Sequence, residues 1–423
     1  MMLGTGGSVW GLDLGDSALK AVKMARAGAK LAIQDFQVIR YRELAGENKS
    51  RKKEDLVFQA LMEFFRKPDR QRTRFVASIP SQSFFSRFIG LPPVQKNRVA
   101  EIVRYEARQQ IPFDLSEVIW DYQLVRPDFM PGEEIEIGLF AVKKDVVNSF
   151  LNQFVMAQDW LESIQIAPLA LYNFVRYDGQ AEKPTVVIDI GSQSTDLLIV
   201  QDTKFWLRNL PIAGNSFNAI LEKKFNISAD EAENVKVNLA QSKHRRTVFE
   251  VLKPALKDLV AEIQRSVGYY KSLAGDVKFD EVLLMGEGFK LYGLHKFLSD
   301  QLQYRVRPLT EVRDIAYAGK ADREEEFKTH LPGLAVAIGL GLQGMRAGEV
   351  TVDLMPEEFV LRRELKRKRG PAALAVGLLW MSVLVLFLGA KMSVWSIENF
   401  RFQRMETKPD GTRGQVTVDQ EGM

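Results

Sequence analysis

Trp10-Gly11-Leu12-Asp13-Leu14-Gly15-Asp16-Ser17, near the start of the chain, is answered near its middle by Val187-Ile188-Asp189-Ile190-Gly191-Ser192-Gln193-Ser194. Each copy is an apolar run that meets an Asp, then a Gly and small polar residues. A second apolar run follows, Ala18 to Met24 in one copy and Leu197 to Val200 in the other. Such a run reads as a buried strand, and Gly with Ser and Asp as the turn into its hairpin partner. Two hairpins, each with a carboxylate at the strand end, predict a duplicated domain closing on something polar. A phosphate with a hydrated cation is the natural candidate. Gly lets the backbone approach a phosphate, and the turn amides and the hydroxyls of Ser17, Ser192, Ser194 and Thr195 can donate to its oxygens. Asp13 and Asp189, one from each half, are the hard oxygen ligands that hold Mg2+ through water. Gly286-Glu287-Gly288, following a strand, lets a nucleoside lie against the backbone.

Composition narrows the classes. A chain of 423 residues is too long for one ordinary core and predicts two or three domains. Its 46% hydrophobic and 26% charged content is that of a folded protein. The absence of cysteine excludes disulfides and thiol chemistry and fits a reducing cytoplasm. His244, His295 and His330 are far apart and in no ligand spacing, which argues against zinc, and nothing supports a Ser-His-Asp triad. A net charge of +4, with much of the basic excess near residue 365, is not a nucleic-acid composition.

The two ends differ. Met1 to Ser8 has no basic region, and no apolar stretch of signal-peptide length precedes Asp13. Gly370 to Ala390 is uncharged and mostly apolar, roughly 21 residues, enough to span a bilayer as a helix. Arg362, Arg363, Lys366, Arg367, Lys368 and Arg369 precede it, and only Lys391 follows closely. The positive-inside rule therefore puts residues 1–369 in the cytoplasm and the tail outside, with the basic run against lipid headgroups. Residues 391–423 are polar and too few to bury a core, so a disordered extracytoplasmic tail or short docking tail is expected.

Between the ends the pattern is α/β. Strands are expected at Val9–Leu14, Ala18–Met24, Leu31–Val38 and Phe75–Ile79, with a basic loop at Asn48–Lys53 and a helix carrying Leu56, Ala60, Leu61, Phe64 and Phe65. An inserted α+β unit follows: a helix from Lys96 to Gln110 ended by Pro112, strands Val118–Val125 and Glu136–Val142 joined by a turn at Pro127–Glu134, and a helix from Lys144 to Gln158. The second half opens at Pro184 with the repeated hairpin, then a strand Lys204–Leu210 and a helix Ser216–Phe225. Ser228-Ala229-Asp230-Glu231 has capping-box spacing. Pro254 stands where a long helix should start, its stripe running from Leu256 to Tyr270 and Gly275 beyond it. Glu281–Met285 is a strand feeding a helix through Leu298, and Pro332–Gln343 is a last apolar helix.

The order of these motifs resembles the actin/Hsp70/sugar-kinase superfamily, and within it the PilM family, the actin-like cytoplasmic proteins of type IV pilus assembly related to the division protein FtsA. The resemblance covers roughly residues 8–348. It rests on Gly11-Leu-Asp-Leu-Gly15 with Leu19-Lys20-Ala-Val22, Leu91-Pro-Pro93, Tyr105-Glu-Ala-Arg-Gln-Gln-Ile-Pro-Phe113, Val187-Ile-Asp-Ile-Gly191 with Ser194-Thr-Asp196, Glu262-Ile-Gln-Arg-Ser266 and Leu284-Met-Gly286. The most specific stretch is Tyr105–Phe113. The resemblance implies an actin-like ATPase fold of two RNase H-like halves. Residues 1–81 belong to the first, 82–165 form the inserted domain, and 166–348 form the second half, with a helical subdomain at about 212–275 and a return to the cleft. It also implies ATP with Mg2+ between the halves. The nucleotide would meet Asp13, Gly15, Asp16, Ser17, Lys20, Asp189, Gly191, Ser192, Gln193, Ser194, Thr195, Gly214, Asn215, Gly286, Gly288 and Phe289. Asp16 stands where relatives offer Ser or Thr, and an anion there repels phosphate unless a cation intervenes. Gly286-Glu-Gly288-Phe289 is bulkier and more acidic than the family's small-residue loop. No general base is in view, so the expectation is an ATP-binding scaffold, a slow ATPase at most, with no catalytic residues.

Beyond this, Val350-Thr-Val-Asp353-Leu354-Met355-Pro356, a basic stretch and an apolar helix look like the N-terminus of PilN, the membrane partner whose short cytoplasmic segment docks on PilM. A ligand peptide fused to its receptor docks at millimolar-scale effective concentration if the linker reaches. Ala347–Val350 spans at most about 14 Å, so the same copy and a neighbouring one both stand as acceptor. The reading is a single-pass inner-membrane scaffold of the pilus platform, its N-terminal part cytoplasmic. Its partners would be PilN/PilO-like membrane proteins and motor or platform components, together with self-association. The rivals are a GspL-like type II secretion protein, an FtsA-like division anchor and a small-molecule kinase of the superfamily.

Overall fold

The repeated hairpin supplies the first two strands of each of two sheets built to one plan. The computed structural model describes residues 7–46, 51–70, 73–126, 129–130, 132–154, 161–275, 277–398, 403–407 and 410–417. These fall into two compact units, 1–355 and 356–423. In the first unit β1 (Val9–Leu14), β2 (Ala18–Ala27) and β3 (Lys30–Arg40) form an antiparallel meander. Helices α1 (Tyr41–Ala45) and α2 (Lys53–Phe65) lead to β4 (Arg74–Ile79), which lies parallel to β1 with Asp13 opposite Ser78.

The insertion then runs β5 (Phe84–Leu91), α3 (Val99–Gln110), β6 (Val118–Leu124), β7 (Ile135–Lys143) and α4 (Lys144–Asn152). Its three strands order β5-β7-β6, and Val99, Val103 and Ala107 of α3 pack on them. Strand β5 was not expected: Phe84–Leu91 has no clean alternation, and only pairing with β7 reveals it. The expected helix to Gln158 ends at Asn152, and 155–160 lie outside the described residues, as do 1–6, 47–50 and parts of the Pro127–Glu134 turn. The insertion also ends earlier than residue 165. Strand β8 (Leu161–Ile166) leaves it to pair in parallel with β4 in the first sheet.

After α5 (Ala167–Tyr177), the second sheet repeats the plan. The antiparallel β9 (Thr185–Ile190), β10 (Thr195–Gln201) and β11 (Lys204–Leu210) precede α6 (Gly214–Phe225), α7 (Ala229–Val237) and α8 (Arg245–Ala274). Then β12 (Glu281–Met285) joins parallel to β9, and α9 (Leu294–Leu302) leads to β13 (Arg305–Pro308) beside β12. The orders β3-β2-β1-β4-β8 and β11-β10-β9-β12-β13 are the same topology twice. Finally β14 (Ala316–Tyr317) adds to β3, and α10 (Glu324–Gly344) covers the first sheet. The last 30 or so residues of the expected second half are thus part of the first.

Two prolines were misplaced as helix starts. Pro254 lies inside α8 and Pro332 inside α10. Each costs a backbone bond to the residue four before it, and those residues, Glu250 and Lys328, are exposed. Buried Val248 and Leu252 hold the extra turns of α8, and Phe327 and Leu331 those of α10. The capping box at Ser228/Glu231 is present, and Gly275 caps α8 at a φ of 85°. Helix α10 lies very close to β1: a Cβ on Gly11 would stand 2.0 Å from the Ala337 carbonyl oxygen.

In the second unit, α11 (Glu357–Glu398) is one helix containing both the basic run and an apolar span, Leu374–Trp395, with a mean hydropathy of 2.1 and no buried residue. It is long and apolar enough to cross a membrane. The tail is not structureless as expected: β15 (Gln403–Thr407) and β16 (Arg413–Thr417) pair as a hairpin. The signal was Pro409-Asp410-Gly411, where Gly411 has a φ of 78° and the Asp410 carboxylate accepts from the Thr412 amide.

Candidate functional site

Both Asp-x-Gly turns close in the same way. The Gly15 amide donates to the Ala18 carbonyl (3.1 Å), and the Gly191 amide to that of Ser194 (3.0 Å). The turns therefore match position by position, with Asp16 where the second has Ser192. Along the strands Asp13 faces Lys20, whereas Asp189 faces Asp196. One hairpin offers an ion pair, Lys20 Nζ to Asp13 Oδ2 at 3.6 Å, where the other offers two carboxylates.

The charges respond to this layout. Burial pushes Asp189 up to about 7, helped by the Asp196 carboxylate and restrained by Lys20. Burial also lifts Asp196 to about 6, against hydrogen bonds from Ser81 and Asn209. Burial pulls Lys20 down, but Asp13, Asp189 and Glu287 outweigh it and leave the ammonium above its ordinary value. Among the described residues no three carboxylates or imidazoles converge as a direct metal-ligand set.

The halves meet through side chains that the sequence pattern had singled out and others that it had not. Ser192 Oγ donates to Ser17 Oγ at 2.9 Å. Asp16 accepts from Asn215 Nδ2 at 2.8 Å and pairs with Lys53, the first residue of α2. Ser81 Oγ donates to Asp196 Oδ2 at 2.6 Å, and Gln82 Nε2 to the Gln193 carbonyl at 3.1 Å. Ser78 Oγ donates to Asp13 Oδ1 at 3.0 Å. Sequence reasoning missed Lys53, Ser78, Ser81, Gln82 and Asn209. For Ser78, Ser81 and Gln82 the available signal was a strand parallel to β1 that must end beside Asp13, followed by the polar run Ser81-Gln82-Ser83.

Several expected ligand groups are engaged by the protein itself. Thr195 is fully buried and its hydroxyl donates to the Ile212 carbonyl at 2.7 Å, so it holds the loop before α6 and does not face a phosphate. The Gly214 and Asn215 amides donate to the Gly191 and Ser192 carbonyls (3.2 and 2.6 Å), seating the start of α6 on the second turn. In the Gly286 loop, a Cβ on Gly286 would lie 2.4 Å from Asp189 Oδ1 and one on Gly288 2.5 Å from Ile190 Cγ2. These glycines are needed for the loop to pack on the end of β9, and Phe289 packs on the second half's core. Beside the first turn, a cavity of 360 Å3 opens between α2 and α4, lined by Leu14, Gly15, Lys53, Val57, Pro80 and Phe150 among others.

A second constellation surrounds residues 350–355. After α10, Arg346 takes a φ of 58°, and the Ala347 and Arg346 amides donate to the carbonyls of Leu342 and Gln343. This reversal turns the chain back along its own surface. Glu349 is held by Arg176 (3.2 Å) and Tyr172 (2.9 Å). Asn173 exchanges two 2.9 Å hydrogen bonds with the Val350 backbone. The Thr351 amide donates to Gln123 Oε1 (3.1 Å) and the Asp353 amide to Asp121 Oδ2 (2.9 Å), both on β6. On β8, the Ile164 amide donates to Asp353 Oδ1 (3.0 Å) and the Leu354 amide to the Ile164 carbonyl (2.8 Å). Val350, Val352, Leu354, Met355 and Pro356 are buried. This segment lies in a groove of its own chain, lined by β6 of the insertion and by β8, α5 and Gln343.

The profile of the family described as type IV pilus assembly protein PilM matches residues 11–345. Among solved structures, a PilM-PilN type IV pilus biogenesis complex is similar at 24% identity, with 79% of this chain and 98% of that one covered and a TM-score of 0.67. Ethanolamine utilization protein EutJ from Carboxydothermus hydrogenoformans is similar at 14% identity, 81% and 90% coverage and a TM-score of 0.44. MreB5 of Spiroplasma citri bound to ADP is similar at 14%, 81% and 97%, and 0.43. The duplicated sheets and their insertion are an actin-like ATPase fold, and the chain belongs to the PilM family of type IV pilus assembly proteins.

Proposed function

We propose that this chain is a nucleotide-binding scaffold of the inner-membrane platform for type IV pilus biogenesis, held in the membrane by its own C-terminal helix. The observation that carries the anchored-scaffold reading is the segment 350–355 seated in its own groove, one residue before the unit that contains the apolar span. We read its sequence as resembling a PilN segment, and a PilM-PilN complex among the similar structures supports that reading. A segment of this type, attached to the protein that receives it, joins the actin-like part to a membrane helix without a second chain. PilN/PilO-like proteins and motor components are the partner classes that fit a pilus platform. The family match gives no support to type II secretion, division-anchor or kinase readings.

The cleft supports a nucleotide in its donor set. Ser17, Ser192, Lys53, Asn215 and Lys20 can face phosphate oxygens, and Asp13 and Asp189 would hold a hydrated Mg2+ through water. Mg2+ would neutralise phosphate charge next to these carboxylates. On this reading the cleft's role is nucleotide binding and closure, with hydrolysis slow at most.

A photoreactive residue in place of exposed Thr351, in the full chain in native membranes, tests the anchored arrangement. Capture of the Gln123 segment within the same chain is expected. Capture only between copies would move the docking to a neighbour, and capture of neither would end it. Calorimetric titration with Mg·ATP tests the cleft, and undetectable binding leaves a static scaffold.

A further inference from the structure

Resting on the reading of the cleft as a nucleotide site, we propose that Asp16 is a built-in anion that takes the place of a nucleotide phosphate and clasps the two halves together. Three observations carry this. The turns match residue by residue, so Asp16 replaces the small hydroxyl residue that the second turn keeps at Ser192. Its carboxylate is not pointed idly at solvent. It engages Lys53 from the first half and Asn215 Nδ2 from the second at 2.8 Å, a cation and an amide donor of the kinds that would bind a phosphate oxygen. Beside it, Ser192 spends its hydroxyl hydrogen on Ser17 Oγ at 2.9 Å. A phosphate that takes a hydrogen bond from both serines needs that Ser192 hydrogen, so the direct contact must break before both can donate to it.

Nucleotide entry therefore requires that the Asp16–Asn215 and Ser17–Ser192 contacts break and that Lys53 exchange a carboxylate for a phosphate. The free energy of this exchange is subtracted from binding, and like-charge repulsion between Asp16 and the phosphates adds to it. Closure without nucleotide and weak nucleotide affinity then have one cause. The tightening ligand is a polyphosphate whose charge outcompetes one carboxylate.

The test uses the full chain in detergent micelles, with Mg·ATP as the probe. Asp16→Ser installs the residue type found in the twin turn and frees Lys53 and Asn215; ATP should bind at least about tenfold tighter than to the unaltered chain. Asp16→Asn, which keeps the size and drops the charge, should shift affinity in the same direction. An independent reading comes from Ser17→Cys/Ser192→Cys, clean because the chain has no other cysteine. Without nucleotide and with diamide as the two-electron oxidant, this pair should form a disulfide readily, and adding Asp16→Ser should slow it about fivefold, the loss of one charge-assisted hydrogen bond. Unchanged or weaker ATP affinity in both Asp16 variants, or a disulfide rate indifferent to Asp16, overturns the clasp. If no variant binds ATP, the nucleotide reading fails separately; the disulfide rate then decides the clasp alone, a slowed rate sustaining it as a bridge and an unchanged one ending it.

Discussion

The two hairpins share topology, turn geometry and an Asp at the same place, yet they are specialised in opposite directions. The first is packed against α10 so closely that Gly11 is required, and its buried Asp13 has a lysine opposite. In the second, the position equivalent to Gly11 is Val187, a branched core residue, and Asp189 faces another carboxylate. One hairpin is electrostatically compensated and sterically tight. The other tolerates a branched residue at the matching strand position and sets two carboxylates face to face, answered by hydrogen bonds from Ser81 and Asn209 and by Lys20 of the first half. A duplicated fold can thus divide the work: the first half fixes the frame, and the second holds negative charge that a cation or donor must answer.

The steric side of this contrast can be broken most severely. Gly11→Val places side-chain carbon inside the Ala337 backbone, which neither a rotamer change nor a small shift of α10 relieves. A loss of at least about 3 kcal/mol is expected, seen as failure to accumulate folded protein or a fall in thermal midpoint of more than about 8 °C. Val187→Ala at the matching site should cost only about 1–3 kcal/mol, the ordinary price of a small core cavity. Equal effects at the two sites would erase the steric distinction.

The two hairpins were legible in the sequence, the steric and electrostatic contrast between them was not, and the reasons are physical. Short-range patterning sufficed for the hairpins because an apolar run, an Asp and a Gly are adjacent in the chain. It failed for β8, whose Leu161–Ile166 run belongs to the first sheet only through pairing with β4 more than 80 residues earlier. The same holds for Lys53 and Asn209, which are unremarkable until the fold brings them to Asp16 and Asp196. Pro254 and Pro332 misled because a local rule met helices whose buried faces override it. Thr195 was misread for a related cause: a hydroxyl beside a phosphate-type turn is indistinguishable in sequence from one that holds the neighbouring loop.

The electrostatic side predicts effects of opposite sign. Asp189 titrates near 7 in the folded chain and near 3.8 unfolded, so the native state holds the extra proton between those values. Stability from this group therefore falls as pH rises from about 4 to about 7. Asp189→Asn removes the penalty. Without nucleotide it should raise the thermal midpoint at pH 8 by about 3–6 °C, a gain that shrinks toward zero by pH 5, where Asp189 is already neutral. Asp13→Asn leaves Lys20 with a weaker partner and should cost about 1–3 kcal/mol at pH 8. Thermal melts of both variants across pH check the pair; destabilisation by both would mean that the second hairpin is compensated as fully as the first.

The smallest effect separates holding from binding within the second hairpin. Thr195 pairs with Ile190 across the hairpin, and its hydroxyl reaches the Ile212 carbonyl, two residues before α6 begins. Thr195→Val keeps the shape and deletes that bond, which should cost about 1 kcal/mol of stability. Because α6 also hangs on the Gly214 and Asn215 amides, its position should persist, and Mg·ATP affinity should change less than about twofold. Paired melting and titration curves measure both quantities on one preparation. A large loss of affinity with little change in melting would return Thr195 to the phosphate site, and the second turn would then bind through its strand as well as its loop.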